Sequence, residues 1–125
     1  MLIKTLLDVI DAPGSRSTIN EESTENAIGS LFRICIYKSD WKYVTNDYLV
    51  KSLKLLPLIS EEVEGKSING LFLKKYKERD PILFGEDDIN ADLIEDLKNR
   101  MKEYITSNPD TEVFTKEDIE YLSNE

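Results

Sequence analysis

Adjacent carboxylates are the residues of this sequence that could do chemistry, and they occur as two pairs, Glu61-Glu62 and Asp87-Asp88. Two neighbouring carboxyl groups can act as acid and base, or they can bind a divalent cation. Both pairs fall where a helix is predicted to begin, and negative charge at that position matches the helix dipole. We therefore expect these carboxylates to stabilise helix starts, and catalysis is the weaker hypothesis.

Other residue types that carry chemistry are sparse. The 125 residues include no histidine and one cysteine, so the usual general base is missing and no internal disulfide can form. Cys35 lies within an apolar helical pattern, which predicts a packed and unreactive thiol. The sequence also lacks a glycine-rich phosphate loop and a Cys-x-x-Cys pair. These observations favour a binding protein over an enzyme, and they predict no cofactor and no metal site.

The charge of the chain narrows its expected partners. Twenty-five acidic and 16 basic residues give a formal net charge of −9. Nucleic acids and anionic membranes attract positive surfaces, so we expect neither as a partner. A basic protein or peptide matches the charge better, although solubility alone would also account for it. The start of the chain lacks a signal-peptide pattern, and no apolar run approaches the ~20 residues of a membrane helix.

Helical periodicity extends along the chain, and no strictly alternating stretch predicts a strand. Residues 22–38 form the central predicted helix, with Ser23 or Thr24 as its N-cap and Glu25 in its first turn. One face of this helix carries Ala27, Ile28, Leu31, Ile34 and Cys35, and Phe32 and Ile36 widen it. A helix that is apolar on two sides is typically buried between neighbours.

Capping residues, glycines and prolines set the ends of the other predicted helices. Ser60 is the expected N-cap of the fourth helix, and Thr115 with Asp118 is expected to cap the last. We expect residues 81–85 to form an apolar connector, and Trp41 and Tyr43 to pack over a helix junction. The predicted helices cover residues 2–12, 22–38, 46–56, 60–80, 87–105 and 115–123.

The fold class predicted from this pattern is all-α. Residues 23–57 and 60–106 are two antiparallel helix pairs, and the spacing of their starting points, near residues 23 and 60, matches a two-helix repeat such as HEAT. Such pairs bury their apolar faces only by stacking, so we expect an α-solenoid of about three repeats. Residues 2–12 would then be the last helix of a preceding repeat, and residues 115–123 a short terminal helix.

A succession of short segments carries a family resemblance over about residues 2–95. In chain order the segments are Thr24-Glu-Asn-Ala-Ile-Gly-Ser30, Leu55-Leu-Pro-Leu58, Glu61-Glu62, Leu71-Phe-Leu and Asp80-Pro-Ile-Leu-Phe-Gly85. Their order resembles the C-terminal HEAT repeats of importin-beta (karyopherin-beta) nuclear transport receptors. The nearest resemblance is to the importin class that carries ribosomal proteins and histones. Phe84 interrupts the family pattern of its segment, and Trp41 has no counterpart in it.

The resemblance implies transport of other proteins without catalysis. It implies that the chain is a C-terminal fragment of a receptor that shuttles between cytoplasm and nucleus. In such receptors the inner helices bind basic cargo and Ran-GTP, and the outer helices contact nucleoporin repeats. Ran-GTP would be bound through the full-length receptor, because the main Ran-binding repeats lie towards the N-terminal half of the family.

Candidate contact residues follow from this implied role. A surface that receives a lysine-rich signal should present carboxylates, and the candidates on the helix predicted at 87–105 are Asp92, Glu95, Asp96 and Asn99. Phe32 and Leu73 are the candidates for nucleoporin contact, with core packing as the competing role for both. An ordinary solvated helix face would explain the same carboxylates. A helical-repeat scaffold or adaptor unrelated to nuclear transport remains the alternative function.

The leucine-rich helix at residues 2–12 has no N-terminal cap, and we predict that isolated chains associate through it. Light scattering should then report a mass above that of the monomer, rising with protein concentration. A monomeric mass at high concentration would contradict the prediction.

Overall fold

Helices account for all the regular secondary structure in the described part of this computed structural model, which covers residues 2–14, 20–40 and 44–124. The helices are α1 (Leu2–Asp11), α2 (Glu21–Tyr37), α3 (Asn46–Leu55), α4 (Glu62–Lys77), α5 (Pro81–Phe84), α6 (Ala91–Ser107) and α7 (Lys116–Ser123), with a 3₁₀ turn at Glu86–Asp88. The all-α prediction is confirmed for these residues. The expected packing of Trp41 and Tyr43 lies outside them. No helix of the described residues is long and apolar enough to cross a membrane.

The helices pack as stacked pairs, and in the second pair hydrogen bonds from Tyr76 to Glu95 and from Lys98 to Tyr76 join α4 to α6. α2 contacts α1 and α3 within the first part of the chain, and α6 contacts α7 at the other end. Between the pairs, α2 packs against α4 and α3 packs against α6. The first helices of the two pairs therefore lie together, and so do the second helices. This is a HEAT-like arrangement, as predicted, whereas the division of the chain into repeats of a longer solenoid stays a prediction.

Helix α2 is central to the core, as its broad apolar pattern predicts. Its buried hydrophobic residues are Ala27, Ile28, Leu31, Phe32, Cys35 and Ile36. A Cβ at Gly29 would lie 2.6 Å from Glu64 Oε1 and 3.0 Å from Ile68 Cγ1, so the glycine permits the close approach of α4. Beside this contact, Arg33 Nη1 lies 2.8 Å from Glu64 Oε1. Apolar packing and one ion pair thus join α2 to α4.

The segment between α3 and α4, residues 56–60, is held by a buried carboxylate of α2. Glu25 is only 1% exposed. The backbone N–H of Ile59 donates to both of its carboxylate oxygens at 3.0 Å, and the N–H of Ser60 donates to Oε1 at 3.0 Å. These bonds give the buried carboxylate the donors that it needs away from water. They also fix the approach of the chain to α4. We call residues 56–60 the clamped connector.

A buried amide of α4 holds the same segment from another side. Asn69 is fully buried. The N–H of Leu58 donates to Asn69 Oδ1 at 2.9 Å, and Asn69 Nδ2 donates to the carbonyl of Leu58 at 2.9 Å. The same nitrogen donates to the carbonyl of Val113 at 3.1 Å. One side chain therefore joins the clamped connector to the loop that precedes α7.

Arg100 of α6 completes the set of polar contacts by binding the end of α3. Its guanidinium donates to the carbonyl oxygens of Leu53 at 2.9 Å and Lys54 at 3.2 Å, and also to that of Leu56. Carbonyls in the last turn of a helix lack partners within the helix, so the cation satisfies them. Arg100 Nε also lies 3.1 Å from Asp96 Oδ2, one helical turn earlier on α6.

Several predicted helix starts are wrong. Asn20 is the N-cap position of α2, and Thr24 lies buried inside that helix. For α4 the N-cap is Glu61, whose carboxylate accepts from the N–H of Val63 at 3.1 Å and of Glu64 at 2.6 Å. A carboxylate therefore performs the capping expected of Ser60. At α7 the prediction is confirmed, because Thr115 Oγ1 accepts from the N–H of Asp118 at 3.1 Å.

The helix predicted at 87–105 begins later, at Ala91. Asp87 and Asp88 have φ values of 55° and 56° and lie in the 3₁₀ turn, so they do not begin the helix. Ile89 is 69% exposed and does not join the buried stripe. The connector at residues 81–85 contains α5, a single turn in which Asp80 caps the N–H of Ile82 at 2.8 Å.

Helix α1 is packed by one side only. Ile3 and Ile10 are buried in the core, Leu6 and Leu7 are half-buried, and Asp8 is exposed. Ile3 and Ile10 thus pack within the chain, whereas Val9 is 38% exposed. Self-association through this helix stays a prediction.

Replacement of Glu25 should show how much the clamped connector contributes to stability. Glu25→Ala leaves the N–H groups of Ile59 and Ser60 without their acceptor, so the free energy of unfolding should fall by about 3 kcal/mol. Urea denaturation measures this change. The matched control is Glu22→Ala, an exposed carboxylate of the same helix, for which we expect a change within about 0.5 kcal/mol. Equal effects of the two substitutions would contradict the role of Glu25.

The thiol of Cys35 should react slowly in the folded protein. The side chain is 3% exposed, and burial raises its pKa to about 12. Because the thiolate is the reactive form, modification by an aromatic disulfide reagent at pH 8 should be at least about 100-fold slower than in urea. Absorbance of the released thiol follows the reaction, and the urea-unfolded chain is the control. Fast modification of the folded protein would contradict the expectation.

Candidate protein-interaction surface

The four residues predicted to bind basic cargo lie together on α6. Asp92, Glu95, Asp96 and Asn99 are all exposed, and their spacing places them on one side of the helix. The buried side of α6 carries Ile94, Leu97, Met101 and Ile105. We call the exposed set the acidic face of α6. These four side chains are therefore accessible to solvent.

Two carboxylates of the acidic face already have partners within the chain. The hydroxyl of Tyr76 donates to Glu95 Oε1 at 3.0 Å, and Lys98 Nζ lies 3.6 Å from Glu95 Oε2. Asp96 pairs with Arg100. A basic ligand on this face would compete with these cations. The assignment of the face to cargo binding stays a prediction.

Phe32 and Leu73, the candidates for nucleoporin contact, do not lie on the surface. Both side chains have 0% exposure and belong to the core. Neither presents surface to a nucleoporin repeat in this structure, so the competing role in core packing describes their position. Their assignment to nucleoporin contact stays a prediction that this burial does not favour.

A groove that the sequence reasoning missed lies between the clamped connector and the loop that joins α6 to α7. Its volume is about 570 Å³, within the range of ligand-binding clefts. The groove is lined by Ile59, Ser60, Glu62, Tyr104, Asn108, Pro109, Asp110, Thr111, Glu112 and Val113. All three charged residues in this lining, Glu62, Asp110 and Glu112, are acidic. We call it the acidic groove.

The walls of the acidic groove are held by buried residues. Asn69 binds Leu58 beside one wall and Val113 in the other. A Cβ at Gly65 would lie 2.7 Å from Val113 Cβ, so α4 approaches the loop closely there. The ring of Tyr104 packs 6.3 Å from that of Phe114, which is 2% exposed. The groove is therefore built on packed residues on both sides.

Charge at the mouth of the groove is negative at neutral pH. Lys66 Nζ lies 2.9 Å from Glu62 Oε1, and this hydrogen bond and the charge of Lys66 lower the pKa of Glu62. Asp110 and Glu112 are exposed. The groove residues come from a connector and a loop, which show no helical periodicity, and the only sequence signal was the acidic composition after Asn108-Pro109.

Comparison with known proteins finds a similarity over most of the chain. The chain is 34% identical over 91 residues to Importin subunit beta-3 of Saccharomyces cerevisiae. This match includes 71% of the chain but spans only 8% of the length of the yeast protein. No family model matches the chain, and no solved structure matches it. The chain is therefore similar to a small part of one importin-beta subunit.

Proposed function

We propose that the chain is part of an importin-beta-type nuclear import receptor and acts by binding proteins, without catalysing a reaction. The observation that carries the proposal is the 34% identity over 91 residues to a yeast importin beta subunit. The stacked helix pairs support it, because α2 packs on α4 and α3 packs on α6 as in HEAT-like proteins.

The structure also gives a physical reason for the spacing of the family-like segments. Thr24–Ser30 contains Glu25, and Leu55–Leu58 directly precedes Ile59 and Ser60, the residues whose N–H groups Glu25 binds. The two segments therefore act together, since one supplies the acceptor and the other positions the donors.

In the proposed role the chain contributes an acidic binding surface to a longer receptor. The receptor carries basic cargo, with ribosomal proteins and histones as the proposed class, and it moves between cytoplasm and nucleus through contacts with nucleoporin repeats. Ran-GTP is bound by the full-length receptor. The acidic face of α6 and the acidic groove are the surfaces of this chain that suit basic cargo.

A binding assay with three ligands tests the proposal. Immobilised phenylalanine-glycine repeats and a basic histone tail should each bind the chain, whereas Ran-GTP should bind only the longer parent protein. Biolayer interferometry measures each affinity, and repeats with serine in place of phenylalanine are the control. Absence of binding to both repeats and histone tail, by chain and parent alike, would overturn the proposal and favour an unrelated helical scaffold.

A further inference from the structure

An asparagine followed directly by glycine occurs once in the sequence, at Asn69-Gly70 in the middle of α4. In an unfolded chain such a pair deamidates, because the backbone nitrogen of the glycine attacks Cγ of the asparagine and Nδ2 leaves as ammonia with the amide proton. Water then opens the cyclic imide to aspartate or isoaspartate. Glycine favours the attack because it has no side chain to obstruct the nitrogen.

The fold opposes this reaction at Asn69-Gly70 in three ways. Both residues lie within the helix Glu62–Lys77, and the ring closes only after the backbone of Asn69 leaves its helical angles. The side-chain amide is bonded to Leu58 and to Val113, which holds Cγ away from the glycine nitrogen. Asn69 is also fully buried, so the water that must open the ring is excluded.

Packing of α7 favours the glycine that makes the pair reactive. A Cβ at position 70 would lie 3.3 Å from Asp118 Oδ2. Asp118 is 9% exposed, and its Oδ1 lies 3.8 Å from Lys77 Nζ, so this carboxylate joins α7 to α4. A side chain at position 70 would press on it. The reactive pair therefore arises from two separate packing needs, one at each of its residues.

Conversion of Asn69 to aspartate would remove the donor that holds two carbonyl groups. Asn69 Nδ2 donates to the carbonyl of Leu58 at 2.9 Å and to that of Val113 at 3.1 Å. An ionised aspartate has no donor, and it would place a buried negative charge against both carbonyl oxygens. Isoaspartate would in addition insert a carbon into the backbone of α4. Neither product reverts to asparagine, so the junction between the clamped connector and the loop before α7 would be lost permanently.

We propose that Asn69-Gly70 is a deamidation site that the native fold suppresses, and that local unfolding of α4 permits the reaction and leads to irreversible loss of the contacts of Asn69. Water is the only co-reactant that the chemistry needs. Local opening of a helix occurs in any folded protein, and it determines the rate of a reaction that the closed state forbids. The proposal does not depend on the transport role, because it concerns the chain alone.

Deamidation rates of the folded chain and of a short peptide test the suppression. A synthetic peptide of residues 67–74 carries the same pair without the fold, and trypsin releases the same fragment from the chain. Mass spectrometry follows the conversion of amide to acid at one pH and temperature. We expect the folded chain to react at least about 100-fold more slowly than the peptide, because it must open first. Equal rates, or an unreactive peptide, would overturn the proposal.

The variants Glu25→Ala and Glu22→Ala test the coupling to opening. Glu25→Ala releases the clamped connector, so deamidation of the folded protein should be at least about tenfold faster than in the original chain. Glu22→Ala should react within about twofold of the original chain. Urea below the unfolding midpoint gives a second measure without any variant, since it should accelerate the reaction of the original chain and leave the peptide unchanged. A chain whose rate responds neither to Glu25→Ala nor to urea would overturn the proposal.

The variant Asn69→Asp reproduces one product, and Asn26→Asp, at an exposed position of α2, is its control. We expect the midpoint of thermal unfolding to fall by at least about 5 °C for Asn69→Asp and to stay within about 2 °C for Asn26→Asp. Failure of Asn69→Asp to fold would have the same meaning as a large fall. Equal midpoints for the two variants would overturn the predicted loss of the junction.

Discussion

The bonds from the buried Glu25 carboxylate to the N–H groups of Ile59 and Ser60 are the contacts on which the arrangement of helices depends. Two stacked helix pairs could slide along their apolar faces, because hydrophobic packing has little directional preference. Hydrogen bonds from a fixed carboxylate do have a direction, and these join α2 to the start of α4. Asn69 and Arg100 then hold the preceding residues and the end of α3. Polar contacts therefore set the register, and apolar burial supplies most of the stabilisation.

The spacing of apolar residues predicted the all-α fold class and the central helix, because the burial of α2 follows directly from its periodicity. It also predicted the buried Cys35 and the Thr115 cap, each of which depends on residues close in sequence. The contacts of Glu25 and Arg100 with distant backbone could not be predicted in this way. A charged residue within a predicted helix is normally expected to be exposed to solvent. Only the fold shows which distant backbone groups it contacts.

The two candidate surfaces differ in the same way, because one follows from local sequence and the other requires the fold. The acidic face of α6 follows from helical spacing and was placed correctly as an exposed set. The acidic groove joins residues about 50 positions apart in the chain, from a connector and a loop without periodicity. Its carboxylates lie in the same lining as Tyr104, and Asn69 and Gly65 fix the positions of its walls. The sequence alone shows neither the lining nor the wall positions, because both arise only when the helices pack.

The hydrogen bonds of Asn69 connect the two walls of the acidic groove. A single planar amide is bonded to Leu58 and to Val113, so its rigid geometry determines the separation of the two groove walls. Asn69 thereby couples the position of the clamped connector to that of the loop before α7.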